Sequence, residues 1–331
     1  VTSARRLDEA GLIARYFRPL ATAPGAAMLL DDAATLPHAY GCELVVTTDA
    51  LIAGEHFFPE DPPDAIARKA LRVNLSDLAA KAARPVGYLV TLALTDDWEP
   101  DWLDGFAEGL AIDQEEFGLS LFGGDTVRTP GPFFVSITAF GHAPEGQAPR
   151  RTGAAPGQRI YVTGTIGDAA LGLKLRQDER LELAWDLRRA EKERLLDRYL
   201  LPEPRLALIE AVATYAAASM DVSDGLVGDA EKLAGASKVA LAIDAARVPL
   251  SEAARRAVES DPSAFAVAVT GGDDYELLLT VDPDDAEGFE AEAAAVSVAV
   301  TDIGVVIEGE GVTFERQGRA VPLGRTSFSH F

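Results

Sequence analysis

Apolar residues at Leu12, Ile13, Tyr16, Phe17 and Leu20 recur every three or four positions, which predicts one helix over 7–20. A β-branched run at 43–48 reads as a strand that ends in Thr47-Thr48-Asp49. Pro62-Pro63-Asp64 is a helix start signal, and Ile66, Ala70, Val73 and Leu78 form the apolar side of a helix reaching about residue 83. The pattern continues as a strand at 86–94, a helix at 100–117, and strands at 119–123 and 133–141. Residues 142–157 are rich in Pro, Gly and Ala and lack periodicity, so the chain is expected to divide into domains 1–145 and 146–331. Beyond this boundary the pattern predicts strands at 159–163, 219–222, 239–243, 265–270 and 275–281. Helices are predicted at 168–175, 183–200, 204–218, 226–235, 251–259 and 284–295, and short strands close the chain. This alternation is a mixed α/β, two-domain pattern.

The 331 residues suffice for two cores, and 48% hydrophobic with 25% charged residues excludes a wholly disordered chain. The single cysteine, Cys42, excludes an intramolecular disulfide and a Cys-rich metal site, and it reads as a small structural residue. His38, His56, His142 and His330 are scattered, so no histidine zinc site is expected. No run of about 18 apolar residues is present to span a membrane. Residues 1–9 include Arg5, Arg6, Asp8 and Glu9 with no signal-type apolar stretch after them, so a cytoplasmic location is expected. Thirty basic against 53 acidic residues give a net charge of −23, which argues against nucleic-acid binding. The same charge repels any anionic substrate unless cations intervene.

Six stretches set aspartates beside Gly, Ser or Thr at predicted element ends. They are Asp31-Asp32, Thr47-Thr48-Asp49, Asn74-Leu75-Ser76-Asp77, Gly123-Gly124-Asp125-Thr126, Asp221-Val222-Ser223-Asp224-Gly225 and Gly271-Gly272-Asp273-Asp274. Such residues serve turns and helix caps, and Asp221 or Asp224 could cap the helix that follows. Together they also suit Mg²⁺, a hard cation held by a few carboxylates plus substrate phosphates. Gly123-Gly124 would let backbone N–H groups approach an anion, and Arg150-Arg151 are cations that could meet a phosphate. No Walker A loop, protein-kinase signature, EF-hand loop or nucleophile elbow is present. No covalent or general-base catalytic residue is therefore assigned.

Taken in order, these stretches resemble the thiamine-monophosphate kinase family, part of the superfamily that includes aminoimidazole ribonucleotide synthetase. The match runs from Leu12-Ile13-Ala14-Arg15-Tyr16-Phe17 through Gly54-Glu55-His56-Phe57 and Tyr161-Val162-Thr163-Gly164-Thr165 to Gly271-Gly272-Asp273-Asp274-Tyr275-Glu276-Leu277 and His330-Phe331. The resemblance implies ATP- and Mg²⁺-dependent conversion of thiamine monophosphate to thiamine diphosphate. It also implies a homodimer whose N-terminal sheets pair into a barrel, with an α/β C-terminal domain behind. Family metal positions fall on Asp32, Thr47, Thr48, Asp49, Asp77, Asp125, Asp221 and Asp224, and nucleotide contacts on Gly124, Asp125, Arg151 and Ser223. Contacts with the thiamine substrate fall on His56 and Asp273. The chain departs from the family at Leu30 (usually Gly), Lys81-Ala82 (usually Met-Gly), Asp273 (often Glu), and Arg325 and Phe328 (often Trp and Tyr).

Metal ions on these aspartates would convert a repulsive surface into a phosphate site. The acceptor phosphate is already ionised at neutral pH, so direct in-line transfer needs no strong base. Two other readings stay open: a sister enzyme of the purine-pathway cyclase type, and a non-catalytic acidic cation-binding protein. A selenophosphate synthetase would need a reactive Cys motif that Cys42 does not provide. The hydrogenase-maturation relative would need a C-terminal cysteine.

Overall fold

The computed structural model describes residues 7–316, 318–321 and 323, so the expectations for Arg325, Phe328, His330 and Phe331 lie outside the described residues. Two compact units emerge. The first extends through Leu78 and includes Arg84–Glu145, and the second comprises Ala79–Ala83 and the chain from Gly146 onward.

The first unit opens with α1 (Glu9–Leu12), followed by the long helices α2 (Pro63–Ala80) and α3 (Pro100–Phe117). Its strands β1 (Cys42–Ile52), β2 (Arg84–Leu94), β3 (Ser120–Arg128) and β4 (Phe134–Pro144) form a sheet in the order β1-β4-β2-β3. β4 is antiparallel to β1 and β2, whereas β2 and β3 are parallel, so α3 makes the crossover that parallel neighbours require. Alternation along β4 defines the two faces of the sheet. Val135, Ile137 and Ala139 are fully buried, while Ser136, Thr138 and Phe140 are half-buried. On the helix side, Tyr88 Oη on β2 donates to Gln114 Oε1 on α3 at 2.9 Å. The two helices are tied by Arg68 and Arg72, both paired to buried Asp113. The other face is only partly covered and exposes Leu44 and Val46 of edge strand β1.

The second unit contains β5 (Arg159–Thr163), β6 (Ala216–Val222), β7 (Ala240–Asp244), β8 (Glu276–Val281), β9 (Val300–Ile307), β10 (Gly311–Arg316) and β11 (Arg319–Ala320). These pair in the order β11-β10-β7-β9-β5-β8-β6, antiparallel except for β10–β7. The helices are α4 (Asp168–Gln177), α5 (Leu181–Ala184), α6 (Arg189–Leu200), α7 (Ile209–Tyr215), α8 (Leu226–Ser237), α9 (Glu252–Ser260), α10 (Ala264–Thr270) and α11 (Ala286–Ala295). α8 and α10 cover one face, joining Leu226, Leu233, Phe265 and Val269 to the strand residues Val162, Met220 and Leu278. α7 and α11 cover the other, where Val212 and Phe289 meet Tyr161, Leu277, Ala79, Ala80 and Ala82.

Several elements differ from expectation. Residues 264–270 are helical, because a six-residue apolar run has no decisive period and its buried residues Ala264, Phe265, Ala268 and Val269 recur at helical spacing. The helix expected over 204–218 stops at Tyr215, and pairing with β8 draws Ala216–Val222 into a strand. The helix expected over 183–200 is split at Asp186, whose φ is +50°. The 7–20 helix is split into α1, a π turn at Ile13–Phe17 and a 3₁₀ turn at Arg18–Leu20. β1 and β3 extend beyond the predicted ends, so Thr47–Asp49 and Gly123–Thr126 lie within strands. α8 is N-capped by Gly225, so neither Asp221 nor Asp224 caps it.

Candidate functional site

β1 presents three candidates in sequence, and its period of two separates them. Register on β4 pairs Thr47 with Ala139 and Asp49 with Ile137, placing both on the helix-covered face. There Thr47 Oγ1 donates to Asp77 Oδ2 on α2 at 2.5 Å. One turn earlier on α2, Asn74 is fully buried and donates its amide to Ala70 O at 3.0 Å. Asn74 Oδ1 has no hydrogen-bond partner among the described residues. Thr47 and Asp77 bring a hydroxyl and a carboxylate oxygen into contact, and oxygens of these types suit a hard cation.

Thr48 pairs with Thr138 on the half-open face, and Thr138 Oγ1 donates to Thr48 Oγ1 at 3.1 Å. On that face β3 places Asp125 beside Thr91. A cavity of about 630 Å³ brings Asp31, Asp32, Gly124 and Asp125 together against an apolar wall that includes Leu36, Leu89 and Phe140. Asp31 Oδ1 accepts the Asp32 N–H at 2.8 Å, and Asp125 Oδ1 accepts the Thr126 N–H at 2.8 Å. Leu30 has φ −108°, so this turn does not require glycine there. Gly124 is required by close approach: a Cβ would lie 1.8 Å from Val90 O. The first unit therefore divides its candidates, with Thr47, Asp49 and Asp77 on one face and Asp32, Thr48, Gly124 and Asp125 on the other. Among the described residues no three Asp, Glu, His or Cys side chains form a metal cage. Mg²⁺ that retains waters and shares substrate phosphates does not need one.

His56 lies in the turn after β1, where its Nδ1 accepts the Ile52 N–H at 3.0 Å, leaving the ring proton of the neutral form on Nε2. Buried Lys69 holds the turn by donating to His56 O at 3.1 Å.

In the second unit β6 delivers the Asp221–Asp224 stretch. Ser223 and Asp224 donate their N–H groups to Asp229 Oδ2 at 3.0 and 2.9 Å. Lys232 pairs with Asp224 and, at 2.7 Å, with Asp229 Oδ1. Burial pushes the Asp229 carboxyl up against the pull of Lys232. The Lys232 ammonium is also held above its ordinary value: burial opposes this, but its bonds to the two carboxylates prevail. Asp273 is brought beside this turn, since its N–H donates to Ser223 O at 2.8 Å and the Tyr275 N–H to Val222 O at 2.9 Å. Asp273 and Tyr275 have φ of +64° and +51°, which is strained for non-glycine residues. Buried groups on either side hold that geometry. Both oxygens of Asp274 accept the Gly167 N–H at 2.8 and 2.9 Å. Glu276 accepts from Thr163 Oγ1 at 2.6 Å and pairs with Arg198 and Arg205.

Arg151 stands apart from this group. Its carbonyl accepts from Ser237 Oγ at the far end of α8 at 2.6 Å. The rise of that 12-residue helix, roughly 18 Å, therefore separates the Arg151 carbonyl, though not necessarily its long side chain, from the Ser223 turn. Asp229 and Lys232 were not singled out from sequence, and Asp274 and Glu276 were read only as part of the 271–277 stretch, with no role of their own. The only local signal was the i,i+3 pair Asp229–Lys232, and burial gives the others their roles.

Residues 30–143 match the AIR synthase related protein N-terminal domain and residues 155–317 its C-terminal domain. The chain is 44% identical over 322 residues to thiamine-monophosphate kinase of Caulobacter vibrioides, spanning 96% of this chain and 89% of that protein. The crystal structure of thiamine-monophosphate kinase from Stenotrophomonas maltophilia is similar at a TM-score of 0.80 and 40% identity, covering 88% of this chain and 91% of that one. AaThiL complexed with AMPPCP and TMP is similar at 0.77 and 31% identity, covering 91% of each chain.

Proposed function

This chain belongs to the AIR synthase related family, in its thiamine-monophosphate kinase branch, and we propose that it transfers the γ-phosphoryl group of ATP directly to thiamine monophosphate, with Mg²⁺ held by its aspartates. The observation that carries this reading is the likeness, over nine-tenths of the chain, to a structure that holds an ATP analogue and thiamine monophosphate together.

The residues divide the work by chemistry. The apolar wall of the 630 Å³ cavity accepts the nucleotide base, and Gly124 lines the same cavity beside Asp125. Arg151 is exposed and, among the described residues, its guanidinium has no partner, which suits a phosphate contact in an acidic chain. Ser223 lies beside Asp273, so the turn that meets the nucleotide is next to the carboxylate assigned to the thiamine substrate. His56 is assigned to the same substrate, on a turn fixed by the Ile52 N–H bond to its Nδ1. The metal ligands are Asp32, Thr47, Thr48, Asp49, Asp77, Asp125, Asp221 and Asp224. Bound Mg²⁺ would neutralise the phosphate oxygens. The acceptor phosphate attacks in line, so no residue serves as nucleophile or general base. We place this enzyme in the cytoplasm as a homodimer closed by a barrel of paired first-unit sheets.

Protein incubated with ATP, Mg²⁺ and thiamine monophosphate should produce thiamine diphosphate. Asp77→Asn and Asp125→Asn should each lower turnover at least about a hundredfold, because a preorganised electrostatic contact contributes roughly 2.7–4 kcal/mol. Near-normal turnover in both folded variants would refute the metal assignment. ATP affinity without diphosphate formation would favour the purine-pathway cyclase type, and no nucleotide affinity at all would favour a cation-binding protein.

A further inference from the structure

Strand β6 is the edge of the seven-stranded sheet, paired on one side by β8. On its other side, carbonyls of alternate residues face outward, and the chain makes use of two of them. Gly153 lies against Ala217 O so closely that a Cβ would come within 1.8 Å. Lys81 Nζ donates to Ser219 O at 2.6 Å and to Pro149 O at 3.2 Å. Proline has no N–H, so the carbonyl is the only main-chain hydrogen-bonding group Pro149 can offer. Ser237 adds a third tether, donating to Arg151 O at 2.6 Å and accepting the Ala154 N–H at 3.1 Å. The segment 149–154 is thus pinned along β6 at both ends, with the exposed side chain of Arg151 between the pins. Lys81 holds the end nearer Asp221, two residues beyond Ser219 on the same strand. It reaches this position from the turn after α2, where Ala82 adopts φ +54°, a left-handed conformation unfavourable for alanine.

We propose that Lys81 is a positioning residue, whose ammonium bridges the carbonyls of Pro149 and Ser219 and so sets the reach of Arg151 relative to the strand carrying Asp221. Its partner is the anionic phosphate chain of the nucleotide, and the inference rests on the assignment of Arg151 to that ligand. Without the ammonium, the pin at Pro149 is lost and Arg151 samples more positions, so binding must order it again.

The test measures affinity for AMPPCP with Mg²⁺ by calorimetry, in the absence of thiamine monophosphate, for wild type, Lys81→Met, Lys81→Arg and Arg151→Ala. Diphosphate formation by the wild type is assayed separately, so failure of the kinase reading is seen on its own. Lys81→Met preserves the stem and should weaken binding about fivefold, within the range of coupled neighbours. Lys81→Arg should restore affinity to within about twofold. In the Arg151→Ala background, Lys81→Met should add less than twofold, an outcome a general structural role would not produce. Unchanged affinity in Lys81→Met would overturn the proposal, as would an equal loss with and without Arg151. Should Lys81→Met not fold, the same comparison with Lys81→Gln decides the matter by the same criteria.

Discussion

Asp274 is fully buried and accepts one N–H through both of its oxygens. Burial pushes its carboxyl well above the ordinary carboxylate value, the Gly167 N–H pulls it back, and nearby Asp168 and Glu276 raise it further. A carboxyl whose folded pKa exceeds its unfolded value of about 3.9 contributes stability in full below that value, and this contribution is lost as pH rises toward the folded pKa. At neutral pH the group is therefore a cost to the fold, accepted at the hinge between Asp273 and the paired Glu276. Asp274→Asn retains the shape and cannot titrate. At pH 7 its thermal midpoint should equal or exceed that of wild type, and the difference should shrink as pH falls toward 4. A variant that is several degrees less stable at pH 7, with a gap that widens as pH rises, would mean that the ionised form stabilises the fold.

Among the elements, β2 and β3 make a sharper statement than any single residue. They run parallel with Val90 beside Gly124, and their backbones approach closely enough to exclude a Cβ from Gly124. At Gly123 a Cβ would meet only Leu89 Cδ2, at 3.3 Å, a side-chain atom that can move aside. Gly124→Ala should accordingly cost about 1–3 kcal/mol, as overpacking does, and Gly123→Ala about 0.5 kcal/mol or less, measured by urea denaturation. Equal costs would mean that the two strands are not held together at Val90. These elements also mark the limit of what the sequence reveals. The helix at 100–117 and the strand at 159–163 are present with the expected bounds, because their period and end signals are local. The start of β6 and the whole of α10 were misread because tertiary pairing and burial, rather than period, decide such short apolar runs. The aspartate stretches were legible as oxygen-rich chemistry. Their division between two sheet faces was not, since it depends on the register of β1 with β4. Nor was Asp229, whose role as anchor of the Ser223–Asp224 turn exists only once α8 is folded against β6.

At the scale of the whole molecule, a charge of −23 opposes self-association, so a homodimer requires an apolar surface strong enough to overcome it. The first unit offers one. Among the described residues β4 is the one strand paired with the 11-residue β1, which makes β1 an edge of the sheet. Leu44 and Val46 are 49% and 53% exposed on the partly covered face, in register with His142 and Phe140 of β4. Because these side chains are already about half buried, completing their burial contributes roughly 0.8–1.5 kcal/mol per side chain in each protomer. A second copy of the same edge would satisfy the main-chain groups and cover these residues together. Light scattering at micromolar concentration should therefore give about twice the chain mass of 35.0 kDa. Because like charges are screened by salt, dissociation on dilution should be easier at 10 mM than at 150 mM ionic strength, where the Debye length is about 30 and 8 Å respectively. Val46→Asp adds charge where apolar contact is needed, and it should shift the protein to monomer without lowering the thermal midpoint of the second unit. A wild-type monomer under both salt conditions would remove the barrel from this protein. A dimer unaffected by Val46→Asp would place the contact on another surface.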